Sequence, residues 1–199
     1  MRDPAGRLTL RVEAAVPAFV AALLTQIGDR SPWLVAILAD RYGRPLTIAL
    51  AALFAHAAGI ALAAAAGMLI APLLTPNAKM LLLALALIFA AMGSLWRLKP
   101  PDRLDSWRIG ALLTGFLGVF SLALGDTTQF FVLAFSARGS TPWLAGAGAL
   151  VAVFAVNTAA ALSGEMAWRQ LPIRAIRILF GLACLAAGLF FGAQALRLA

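Results

Sequence analysis

Two Gly-Asp pairs stand where acids are costly. Asp29 lies in Thr25-Gln26-Ile27-Gly28-Asp29-Arg30-Ser31, and Asp126 lies in Ala123-Leu124-Gly125-Asp126-Thr127-Thr128-Gln129. Both stretches interrupt long apolar runs. A charged side chain at the centre of a bilayer costs at least about 2.5 kcal/mol, so intramembrane acids face a protein interior and serve a site. Around each aspartate stand hydroxyls and amides: Gln26 and Ser31 in the first stretch, Thr127, Thr128 and Gln129 in the second. Aspartates ringed by hydroxyls and amides form a polar site for a substrate inside an apolar chain. Arg30, next to Asp29, is the one base in the two stretches. It points to an alternative, a structural ion pair reaching Asp126 or Asp29. If the stretches are helical, Gln26 shares a face with Asp29, and Asp126 shares a face with Gln129.

The two pairs are related by a constant offset. Gly28 and Gly125, Asp29 and Asp126, Pro45 and Pro142, and Gly67 and Gly164 are each 97 residues apart. Such spacing identifies an internal repeat. Gly28 and Gly125 are the expected hinges, because glycine lets a helix bend or lets a neighbour come close.

The elements that must hold these residues follow from the apolar runs. Hydrophobic residues make up 63% of the 199 residues and charged residues only 12%, with a mean hydropathy of +0.94. Six segments of membrane-spanning length can be marked, at 12–41, 46–71, 79–97, 108–136, 142–167 and 174–196, the first and fourth interrupted by the motifs. Alanine and leucine dominate and nothing alternates with period two, so strands are not expected. The expected fold is an all-α integral membrane protein of one domain, residues 1–199. It has six transmembrane helices in two three-helix repeats, 12–97 and 108–197, joined by a 98–107 linker. An odd number of crossings per repeat inverts one half relative to the other. Interrupted helices at matching positions of inverted halves point to a substrate site near the midplane.

The formal net charge is +8. The bases fall between apolar runs, as in "RLKPPDRLDSWR" at 97–108, which is the pattern of membrane loops and gives nucleic acid no basic soluble surface to bind. Arg41, Arg44, Arg97, Lys99, Arg103, Arg108, Arg169, Arg174 and Arg177 fall on one side. Arg2, Arg7, Arg11, Lys79, Arg138 and Arg197 fall on the other. The richer set is expected in the cytoplasm. That places the 98–107 linker inside and both termini outside, although three arginines precede the first helix. A bacterial inner membrane is the expected location.

Other residues carry weaker signals. His56, the single histidine, is a candidate proton relay or an interhelical contact, and Asn157 lines the same cavity or bonds a neighbouring helix. Glu165, beside Trp168 and Arg169, suits an interfacial ion pair. Cys184 reads as a small buried hydrophobe. No nucleophile-base-orienter set, Gly-rich phosphate loop or Cys/His metal spacing is present, so an enzyme is not expected.

The double motif resembles that of the Gdt-type (transmembrane protein 165) antiporters, which carry Glu-x-Gly-Asp-(Lys/Arg)-(Thr/Ser) once in each half of a six-helix core. Gln26-Ile27-Gly28-Asp29-Arg30-Ser31 and Ala123-Leu124-Gly125-Asp126-Thr127-Thr128 correspond to its two copies. Gln129, Pro45, Asn157 seven residues before Gly164, and the ending "LPIRAIRILFGLACLAAGLFFG" at 171–192 also look like bacterial members. The resemblance implies movement of Mn²⁺ or Ca²⁺ against protons, with lipid, divalent cation and protons as partners and no cofactor. The metal-binding acids would be Asp29 and Asp126. The departures are specific: Gln26 and Ala123 replace the two motif glutamates, and Thr127 replaces the second base. Two aspartates then serve both proton and metal. Two other readings stand beside this one, an exporter of a different small substrate such as an amino acid, and a non-transporting protein that kept the fold.

Overall fold

The computed structural model describes residues 4–139 and 141–196, with side chains from Ala15 onward. Arg2, Arg197 and the side chains of Arg7 and Arg11 lie outside the described residues. The described chain is all helical. Its elements are α1 (Pro4–Ile27), α2 (Arg30–Tyr42), α3 (Pro45–Ile70), α4 (Pro76–Leu95), α5 (Ala111–Ala123), α6 (Thr127–Arg138), α7 (Pro142–Gln170) and α8 (Ile173–Ala195). A 3₁₀ turn at Ala71–Leu73 extends α3.

Prolines start five of these helices, α1, α3, α4 and α7 at the first residue and α8 just after Pro172. Proline has no N–H to lose there and its φ suits the first turn. Four helices, Pro45–Leu73 with its 3₁₀ extension, Pro76–Leu95, Pro142–Gln170 and Ile173–Ala195, are long and apolar enough to cross a membrane. The pair Ala111–Ala123 and Thr127–Arg138 is apolar enough only when taken together and is bent by 64°, the shape of a broken span or of a re-entrant loop.

Order within the halves is the same: a helix broken at Gly-Asp, then two long helices. Packing is exchanged between them. α1 and α2 lie on α7, α5 and α6 lie on α3, and α4 lies on α8. Repeat-related glycines occupy matching contacts. A Cβ at Gly67 would strike the backbone of Leu133 and Ala137 in α6, and one at Gly164 would strike the Asp40 carboxylate in α2, the position repeat-related to Ala137.

The interior is built from small residues. In α3, Ala52, Ala55, Gly59, Ala63 and Gly67 are buried, while Leu46, Leu50, Phe54, Leu62 and Leu69 are exposed. Large side chains thus face outward and small ones face protein, the arrangement expected where lipid is the solvent and close backbone approach supplies the attraction. Trp96 and Trp143 stand exposed at helix ends, as an interfacial belt requires, whereas Trp168 is buried. Cys184 is buried and free.

Residues 96–110 form an irregular connection between the halves. Arg41 holds it by donating to the carbonyls of Leu104 at 2.7 Å, Trp107 at 3.0 Å and Asp105 at 3.3 Å. Glu165 pairs with Arg103 at 3.0 Å and more loosely with Arg169 at 3.9 Å, the interfacial ion pairing its position suggested.

Candidate functional site

Both Gly-Asp motifs are helix breaks, not helical turns. Asp29 caps α2: its carboxylate accepts from Ser31 Oγ at 2.9 Å and from the Ser31 N–H. Asp126 occupies the N-cap position of α6. Each aspartate therefore sits at the positive end of a helix, where backbone N–H groups and the aligned peptide dipoles favour an anion. The second break turns at Gly125, whose φ of +78° lies in the left-handed region. Gly28 answers a different need, because a Cβ there would collide with the side chain of Arg177.

This corrects the helical reading of the motifs. Gln26 does not share a helix face with Asp29 but crosses to the other half. Its Nε2 donates to Asp126 Oδ2 at 3.0 Å and to Thr128 Oγ1 at 3.1 Å, and its Oε1 accepts from Asn157 Nδ2 at 3.4 Å. Thr25 and Thr128 meet hydroxyl to hydroxyl at 3.1 Å. The ion pair between Arg30 and an aspartate is absent among the described residues, and Arg30 is exposed. The halves are joined by amides and hydroxyls instead.

The two breaks open on one cavity of about 310 Å³. Asp29, Asp126, Gly28, Arg30 and Thr127 line it, with Thr25, Ser94 and Arg97. Gln26, Thr128 and Asn157 form a buried hydrogen-bonded layer behind it, and Ser31 is buried against Asp29. Gln129 turns away: its Oε1 accepts from Gly125 N–H at 3.3 Å, and its amide packs where a Cβ on Gly59 would lie. His56 is buried in α3 and does not line the cavity; its Nε2, the Gln129 Nε2 and the Asn157 Oδ1 make no hydrogen bond to the described residues.

Arg177 completes the cavity wall and was not singled out by the sequence, where it reads as an interfacial base. It is only 8% exposed. Its guanidinium donates to Gly28 O at 2.9 Å, Trp96 O at 3.0 Å and Ser94 O at 3.2 Å, and also to Gly93 O. These are the free carbonyls at the C-terminal ends of α1 and α4, the negative ends of both dipoles. A signal existed: Arg177, Gly181, Cys184 and Gly188 recur at helical spacing and all are buried on α8.

The arrangement offers two carboxylates and neutral oxygens to one small, partly open space at facing helix breaks. That chemistry suits a cation exchanged against protons. Comparison with known proteins agrees. The family model described as "Divalent cation/proton antiporter GDT1" matches twice, over residues 14–101 and 111–198. A Vibrio cholerae serotype O1 protein described as "Putative manganese exporter" is 30% identical over 160 residues, covering 77% of this chain and 78% of its own. No solved structure matches. With one copy of the family model in each half around the paired Gly-Asp breaks, the chain belongs to the GDT1 family of divalent cation/proton antiporters.

Proposed function

We propose that this antiporter exchanges Mn²⁺ for protons at a site formed by Asp29 and Asp126, within two inverted three-helix repeats, 12–97 and 108–197, that make six crossings. The observation that carries the reading is the shared cavity: both aspartates line it, one from each half. Manganese as cargo rests on the name of the Vibrio relative. The excess of bases at 97–108, 169, 174 and 177 supports a cytoplasmic 98–107 linker and a multi-pass inner-membrane location.

Two carboxylates balance one divalent cation or two protons, so either cargo neutralises the pair itself. Thr127 and Thr25 add neutral oxygens on the cavity wall. Gln26 takes the place of a motif glutamate but keeps its reach. By donating to Asp126 Oδ2, it orients that carboxylate across the repeat boundary. Ser31 does the same for Asp29 from within its own half. Exchange is obligatory if the cavity changes sides only when the pair is neutralised.

Three bases, Arg30, Arg97 and Arg177, line the same cavity. They favour a second reading, a less charged or zwitterionic substrate such as an amino acid. Purified protein in liposomes with an imposed pH gradient separates the two. Gradient-driven Mn²⁺ flux that falls at least about a hundredfold in Asp126→Asn and in Asp29→Asn supports the first reading. No Mn²⁺ flux from folded wild type sinks it. Amino-acid flux indifferent to Mn²⁺ establishes the second.

A further inference from the structure

A larger cavity, of about 570 Å³, opens where α4, α7 and α8 end together. Four arginines line it, Arg97, Arg169, Arg174 and Arg177, and its lining holds no acid. Glu165 lies 3.9 Å from Arg169 and is bound more closely to Arg103. Arg177 is fully engaged with backbone carbonyls, while Arg97 and Arg174 are exposed. Trp33 and Trp168 also line this cavity. Both indole N–H groups are buried and make no hydrogen bond, and Trp168 is only 5% exposed. Buried donors without partners are uncommon and call for an acceptor. The α8 N-terminus, at Ile173, has no side-chain cap. The rest of the wall is apolar, including Leu98, Leu171 and Ile178.

Cationic side chains and an uncapped helix start both ask for an anion rich in oxygen acceptors. An apolar wall beside them, at the level of the exposed Trp96, asks for a hydrocarbon chain attached to that anion. Basic pockets between transmembrane helices on the cytoplasmic side are suited to acidic headgroups. We infer that this cavity is a binding site for an anionic phospholipid. Its phosphate sits among Arg97, Arg169 and Arg174, and an acyl chain lies along Leu171 and Ile178. The inference does not depend on which substrate is transported. It has a consequence for transport, because Ser94, Trp96, Arg97, Leu98 and Arg177 line this cavity and the aspartate cavity alike.

The test is native mass spectrometry of the full chain in detergent, titrated with phosphatidylglycerol, phosphatidylcholine or inorganic phosphate. Phosphatidylglycerol should bind at least about tenfold more tightly than phosphatidylcholine. Arg174→Gln and Arg169→Gln, both exposed positions, should each weaken it about fivefold. Arg138→Gln, which removes an equal charge outside the cavity lining, should leave it unchanged. Equal binding of the two lipids overturns the inference, as does an equal loss in Arg138→Gln. Inorganic phosphate displacing the lipid at comparable concentration overturns it too, by making the cavity a free-anion site.

Discussion

At the scale of single residues, the site is held by the neutral amide of Gln26 on one side and the guanidinium of Arg177 on the other. Gln26 is fully buried and bonds three partners in two other helices. Replacing it with leucine removes the donor to Asp126 Oδ2 and Thr128 Oγ1, while Asn157 keeps its bond to Val153 O, and we expect a loss of about 1–3 kcal/mol in stability. In transport, Gln26→Leu should raise the KM for Mn²⁺ more than it lowers the maximal rate, since Asp126 loses its orienting donor. A flux assay over a Mn²⁺ range reads this, and an unchanged KM would remove Gln26 from the site. Arg177→Lys keeps the charge but cannot span four carbonyls, because an ammonium lacks the planar fork. It should cost about 2 kcal/mol, measured by thermal unfolding in detergent. The aspartates, their hydroxyl neighbours and Gln26 were legible in the sequence as polar groups in apolar runs. The bond from Gln26 to Asp126 was not, because it exists only if the helix stops at Gly28, and residue types do not say where a helix stops inside an apolar run.

At the scale of elements, the breaks decide what the aspartates face. α2 and α6 begin at the motifs, so Asp29 and Asp126 are terminal groups of short helices. The turn into α6 depends on Gly125, which has no atom near its missing Cβ and a φ of +78°. Gly125→Ala therefore tests backbone conformation alone. It should destabilise by about 1–2 kcal/mol without any clash, and Gly125→Asn should recover part of that loss, since asparagine tolerates the left-handed region. Thermal unfolding of the three proteins decides it. Segment limits read from the sequence were close to the helices observed because proline, glycine and paired arginines mark the ends physically. That the first and fourth runs break at the motifs was legible; that each aspartate starts a new short helix was not, because a polar interruption does not say whether the helix merely bends or ends.

At the scale of the whole molecule, the halves are not separate bodies. Nearly every major helix contact joins one half to the other: α1 and α2 with α7, α3 with α5 and α6, α4 with α8. A chain ending after Pro101 should therefore fail to accumulate. Supplying residues 102–199 as a second polypeptide should restore it, as read by membrane-fraction immunoblot. Stable accumulation of the first part alone would show that the exchange of partners contributes little. The repeat itself was legible from four residues at one offset, while the exchange of partners was not, since an offset carries no information about which surfaces meet.

That exchange sets an order on biogenesis. While the ribosome is still making the second half, α1, α3 and α4 are already in the bilayer with their small-residue faces turned to lipid. α3 must wait for α5 and α6, and α1 for α7. α4 waits longest, because its partner α8 follows every other described helix. Insertion and folding are thus separate events for this chain, and the aspartate cavity is among the last features to form. Until then Asp29 lacks the partner half that shelters it.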